Sequence, residues 1–136
     1  MKFHDANQHC NAVWNGANLA IFPNPYYQFF GTSMMDQQRK RVWIGGLTTS
    51  NQDHIFHWID NTKMHFTNWQ PGEPNGDMNG EDVIEMTYFT YVDTERAKAG
   101  QWNDLSPNNQ KSFLCSHPGL INTTAQLIFQ KHFSKI

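Results

Sequence analysis

Charge is scarce in this 136-residue chain: only 16% of residues are charged, and 10 Lys and Arg stand against 12 Asp and Glu for a formal charge of -2. The longest basic run is Arg39-Lys40-Arg41. With no extended cationic face to neutralise a phosphate backbone, the composition argues against nucleic acid as a partner. Long apolar runs are missing as well. None approaches the roughly 20 residues of a membrane-spanning helix, and Met1-Lys2-Phe3-His4 is not followed by the apolar stretch of a secretory signal. The expectation is a chain that inserts into no membrane.

Signatures of catalysis are also lacking. There is no Gly-x-Ser-x-Gly elbow and no phosphate-cradling glycine loop, and no residue stands out as a catalytic nucleophile. His54 and His57, with His65 beyond, are a poor zinc set, because residues three apart on a strand-like segment face opposite sides. The expectation is a protein that is not an enzyme. Cysteine is limited to Cys10 and Cys115. As a bridge they would close a very long loop and stabilise by roughly 4 to 5 kcal/mol. As two buried thiols they would do neither, and the residues alone leave both readings open.

Aromatic residues, by contrast, are abundant: 14% of the chain, with five Trp and ten Phe. The length suits one domain whose single core is built around large rings. Phe3, Ala6, Cys10 and Val13/Trp14 recur at helical spacing until Gly16, predicting a first helix. Leu19-Ala20-Ile21-Phe22 reads as a short buried strand. After Pro23 and Pro25, the apolar positions Tyr26, Phe29, Phe30, Met34 and Met35 predict a second helix over 26–41, weakened by Gly31. Val42-Trp43-Ile44-Gly45-Gly46 and Ile55-Phe56-His57-Trp58-Ile59 read as core strands. Residues 83–92 and 101–104 suggest a long hairpin, and Ser112-Phe113-Leu114-Cys115 closes the sheet.

Between these elements lies a stretch, 68–82, dense in Gly, Pro, Asn and acids. It is too long for a tight hairpin and too polar for the core. Its oxygen-bearing residues, Glu73, Asn75, Glu81 and Asp82, together with Asn103 and Asp104, are suited to Ca2+. Calcium takes 6 to 8 oxygens in irregular geometry, whereas zinc and copper favour His or Cys. The spacing is too wide for a local loop site, so an ion here would pin a long loop to a distant strand. Solvated turns of the same composition are the alternative.

The order Trp43-Ile44-Gly45, Asn68-Trp69-Gln70-Pro71-Gly72-Glu73-Pro74-Asn75, Gly80-Glu81-Asp82, Trp102-Asn103-Asp104 and Phe113-Leu114-Cys115 resembles the C-type lectin domain. Ala6-Asn7-Gln8-His9-Cys10 and Gly16-Ala17-Asn18-Leu19-Ala20 resemble its first helix and following strand. The resemblance spans about 3–117. It implies an α+β, C-type lectin-like fold, with two helices packed on small antiparallel sheets and a long calcium-binding loop. It implies a Cys10–Cys115 disulfide. It also implies that Glu73, Asn75, Glu81, Asn103 and Asp104 hold calcium, and that Glu73, Asn75, Glu81 and Asn103 meet the hydroxyls of a sugar. The Glu-Pro-Asn order goes in that family with mannose, fucose or N-acetylglucosamine, and Pro74 is expected to be cis when calcium is bound. The implied partners are glycans or glycoproteins on cell surfaces, the implied location is extracellular, secreted or on an ectodomain, and homo-oligomers are compatible with it. The same fold used to bind a protein or surface ligand is the alternative.

The chain departs from that pattern in several places. A second cysteine pair would fall at Val83 and Pro107, so the loop should lean more on its metal. Gly76 and Thr48-Thr49-Ser50 lack the acids of an auxiliary site, which predicts one calcium. Tyr88, Phe89 and Tyr91, on a segment longer than usual, are candidates to stack on a second sugar ring. Asn122-Thr123-Thr124 is a glycosylation acceptor triplet. The expected division is a lectin domain over 1–118 that lacks the usual N-terminal strand, and a tail over 119–136. In that tail Leu127 and Phe129 alternate with polar residues, as a strand covering the vacant sheet edge would.

Overall fold

The computed structural model describes residues 1–36, 40–49, 54–76, 80, 82–87, 98–117 and 129–132, the last four as backbone. Helix α1 spans Phe3–Val13 and buries Phe3, Ala6 and Cys10 of the stripe expected from spacing, whereas Val13 at its end is exposed. Helix α2 spans Pro25–Asp36. Pro25 opens this helix instead of breaking the chain, since its fixed φ suits the first helical position. Asn24 caps it, accepting hydrogen bonds at Oδ1 from the amides of Tyr26 (3.0 Å) and Tyr27 (3.3 Å). Gly31 has a packing role: a Cβ there would lie 2.5 Å from the Phe22 ring. The helix therefore rests directly on Phe22.

The strands are β1 (Asn18–Leu19), β2 (Val42–Leu47), β3 (His57–Trp58), β4 (Val83–Met86), β5 (Trp102–Leu105), β6 (Ser112–Ser116) and β7 (Phe129–His132). Among the described residues they form one sheet ordered β1-β6-β2-β4-β5, with β3 on β2 and β7 on β6. The fold class is the one expected, with one correction: the small antiparallel sheets are a single mixed sheet, because β2 and β6 run parallel, Val42 opposite Ser112 and Trp43 opposite Phe113. No hairpin can join strands paired in parallel, and β6 follows β2 only after β3, β4 and β5 have been laid down.

The middle of the sheet is buried on both faces, which is why β2, β4 and β6 read as continuous apolar runs. On one side Trp43, Val83, Phe113 and Cys115 pack with Phe3, Ala6 and Cys10 of α1. On the other, Ile44, Ile84, Trp102 and Leu114 pack with Phe22, Trp58 and the α2 residues Tyr27 and Met35. The Cys10–Cys115 disulfide joins α1 to β6 across 105 residues of sequence. Phe129–His132 pairs antiparallel with β6, Ser116 opposite Phe129 and Phe113 opposite His132.

Candidate functional site

The polar loop is laid along β5 by its backbone. Trp102 donates its amide to the Asn68 carbonyl (2.8 Å), and Gln70 donates to the Trp102 carbonyl (2.9 Å). Trp69 is thereby set edge-on to Trp102, ring centroids 5.6 Å apart. Trp102 is itself fixed: its Nε1 donates to Gln28 Oε1 of α2 at 2.8 Å, and it is fully buried. Gln28 Nε2 and Asn68 Nδ2 both donate to the Gly100 carbonyl at 2.9 Å. The start of the loop, the second helix and the start of β5 therefore converge on one indole and one carbonyl.

Farther along, Glu73 donates its amide to the Gln70 carbonyl (3.0 Å), and the Glu73–Pro74 peptide is cis, the isomer expected for Pro74. The chain then reaches Asp104, whose carboxylate is fully buried. Asn75 donates its backbone amide to Asp104 Oδ1 at 3.1 Å, and Gly76 donates to Oδ2 at 2.9 Å. Distant parts of the sequence, Glu73-Pro74-Asn75 and Asn103-Asp104, are brought together in this way. Asn103 stands opposite Glu85 across the β4–β5 ladder, and its Nδ2 donates to Glu85 Oε1 at 3.1 Å. Glu81 lies outside the described residues, as do Tyr88, Phe89, Tyr91, the Asn122 triplet and Leu127.

The donor set is chemically that of a hard cation: two carboxylates, Glu73 and Asp104, and two carboxamides, Asn75 and Asn103, with no sulfur or imidazole. An ionised carboxylate has about four lone-pair positions, and the two backbone amides on Asp104 take one on each oxygen. Among the described residues no three His, Cys, Asp or Glu side chains form a metal-binding group.

Residues 1–117 match the family model described as Lectin C-type domain. The chain belongs to the C-type lectin family. It is 30% identical over 120 residues to a hepatic lectin of Gallus gallus, 87% of this chain and 51% of that protein. The chain thus spans about half the length of that relative. Among solved structures it is similar to the carbohydrate-recognition domain of the human scavenger receptor C-type lectin, with 27% identity, a TM-score of 0.68 and coverage of 85% of this chain and 81% of that one. It is also similar to the cow C-type carbohydrate-recognition domain of CD23, with 29% identity, a TM-score of 0.60 and coverage of 76% and 69%. C-type lectins are generally calcium-dependent.

Glu85 is a feature of this lectin domain that the sequence did not flag. It is 1% exposed, and its carboxylate meets Arg41 Nη1 at 3.1 Å and Lys111 Nζ at 2.8 Å. One signal was available, an acid inside the otherwise apolar strand Val83–Met86. Its two cations lie in distant segments and left no local pattern. The Gln28–Trp102 bond was equally invisible, being made across 74 positions.

Proposed function

We propose that this chain binds carbohydrate in a calcium-dependent manner, taking glycans of the mannose, fucose or N-acetylglucosamine type, and that it is not an enzyme. The observation that carries the reading is the pair of backbone bonds from Asn75 and Gly76 to the buried Asp104 carboxylate. They hold the Glu-Pro-Asn segment beside Asn103-Asp104, and Glu73, Asn75, Glu81, Asn103 and Asp104 are the residues we assign to the ion. When bound, calcium supplies open coordination positions that two vicinal sugar hydroxyls can fill. Around it, the carboxylates of Glu73 and Glu81 accept hydroxyl protons, while the amides of Asn75 and Asn103 donate to hydroxyl oxygens. That alternation selects diols by geometry, and Glu-Pro-Asn favours the equatorial pair of mannose-like sugars. The cow CD23 domain, 29% identical, was crystallised in the presence of GlcNAc2Man3 oligosaccharide, which supports glycans as the ligand class.

Such a site is shallow, so useful affinity comes from several copies engaging one glycan-bearing surface. The partners are accordingly glycans and glycoproteins outside the cell, with the chain secreted or part of an ectodomain. We place the lectin domain at 1–118 and assign 119–136 the role of covering the sheet edge, a role supported by the pairing of Phe129–His132 with β6.

Retention on mannose resin tests the reading. The full chain is expected to bind with calcium, to elute with chelator, and to be displaced by free mannose far better than by free galactose. Passage through the resin with or without calcium would refute sugar binding and move the assignment to a protein-binding module on the same fold.

A further inference from the structure

We infer that Glu85 is a positioning residue for the sugar site, a buried carboxylate that fixes which arm of the Asn103 amide faces ion and ligand. This rests on the calcium-dependent reading above and adds to it a residue that touches neither calcium nor sugar.

A carboxylate that is 1% exposed is costly to bury unless it is paired. Replacing a buried ion pair by well-packed apolar side chains is often neutral or stabilising, so stability alone is a weak reason for one. Glu85 is braced from two sides. Lys111, just before β6, forms an ion pair with Oε2 at 2.8 Å without hydrogen-bond alignment, while Arg41, just before β2, donates to Oε1 at 3.1 Å. Lys111 is steadied in turn over the Trp43 ring, 5.6 Å from its centroid. The carboxylate cannot rotate without breaking one of these pairs. Its Oε1 therefore stays opposite Asn103, the in-register partner, and accepts from Asn103 Nδ2 at 3.1 Å.

A carboxamide has donors on one arm and an acceptor on the other. Against an ionised carboxylate, which only accepts, the nitrogen arm must face Glu85. Turning the amide by half a revolution would set oxygen against oxygen. Asn103 is thus locked with its carbonyl arm directed away from Glu85, the arm a hard cation needs. Partners that orient a metal ligand typically change metal affinity 10 to 100-fold when removed.

Calcium titrated calorimetrically into the full chain, without sugar, tests the inference. Glu85→Leu is expected to weaken calcium binding by about ten-fold, and Glu85→Gln, which keeps an acceptor opposite Asn103, to recover most of the loss. In an Asn103→Ala background, Glu85→Leu should have no further effect, because the residue it positions is gone; an effect that is purely structural would persist in both backgrounds. Equal losses in both backgrounds, or calcium affinity unchanged by Glu85→Leu, would overturn the inference and leave the calcium reading standing. An unmutated chain that takes up no calcium would sink both. Should Glu85→Leu fail to fold, the unmutated calcium-free protein decides: the Asn103 side-chain amide protons are expected to exchange slowly with solvent in nitrogen-edited spectra. Exchange at the rate of a free amide would overturn the inference.

Discussion

Asp104 does two jobs with one carboxylate. It ties down the loop through the amides of Asn75 and Gly76, and in the proposed function it is also an ion ligand. The two roles separate in chelator. Asp104→Asn keeps one acceptor arm but turns the other into a donor, so one loop amide faces an NH2 group and loses its partner. Hydrogen bonds to a charged acceptor contribute about 1.5 to 3 kcal/mol each. The substitution should therefore lower unfolding stability by about that amount even with calcium removed, as well as weakening calcium binding. A denaturation midpoint in chelator equal to that of the unmutated chain would show that the tether is not holding the loop. In the sequence, oxygen donors in the Gly- and Pro-rich loop left a cation site and solvated turns both open, and it was the resemblance that joined Glu73 and Asn75 to Asn103 and Asp104 on β5. The tether was not legible, since it is made by backbone amides, and these are the same at every non-proline residue. Glu85 was missed for a related reason: what makes a buried charge tolerable is its partners, and Arg41 is 44 positions away.

Elements were legible where apolar spacing was long and regular, as in α1, and less so where burial and pairing part company. Leu19-Ala20-Ile21-Phe22 reads as a strand, yet only Asn18–Leu19 lies in the β1 ladder. Ala20 bonds in two directions instead, its amide to the Leu114 carbonyl (2.8 Å) and its carbonyl to the Gly45 amide (2.7 Å). The chain is crossing from β6 toward β2 there, and an apolar run reports only that the crossing is buried. The β3 segment is shorter than its apolar run for the opposite reason. Ile55 is 69% exposed, and His54 turns with φ of 51°. Gly45 marks the crossing more sharply than any apolar residue. A Cβ at that position would sit 2.6 Å from the Leu19 carbonyl oxygen, which is backbone and has little room to yield. Gly45→Ala should consequently destabilise by about 1 to 3 kcal/mol, the usual range for overpacking. Urea denaturation measures it, and an unchanged midpoint would mean that β1 and β2 do not approach so closely.

On the scale of the whole molecule, β6 is the hub. It pairs with β1 and β2 along one edge and β7 along the other, and its Cys115 carries the disulfide to α1. The family match ends at 117, whereas the sheet continues through Phe129–His132. Without β7, the amides and carbonyls along 113–116 that face it would have no ladder partner. A bare, flat strand edge is a template for pairing with another chain. Deleting 118–136 should therefore have two consequences. Losing a ladder of about four hydrogen bonds at roughly 0.5 to 1.5 kcal/mol each lowers stability by about 2 to 6 kcal/mol. The shortened chain should also self-associate as its concentration rises, seen as earlier elution on size exclusion. Calcium binding measured on whatever monomer remains should be close to that of the full chain, because Asp104, Glu73 and Asn75 are held by β5 and the loop and not by β7. A truncated protein that stays monomeric and unfolds at the same denaturant concentration would show that the tail contributes nothing to the sheet. One that stays folded and monomeric but loses calcium would instead put the tail in the site, contrary to the placement argued here.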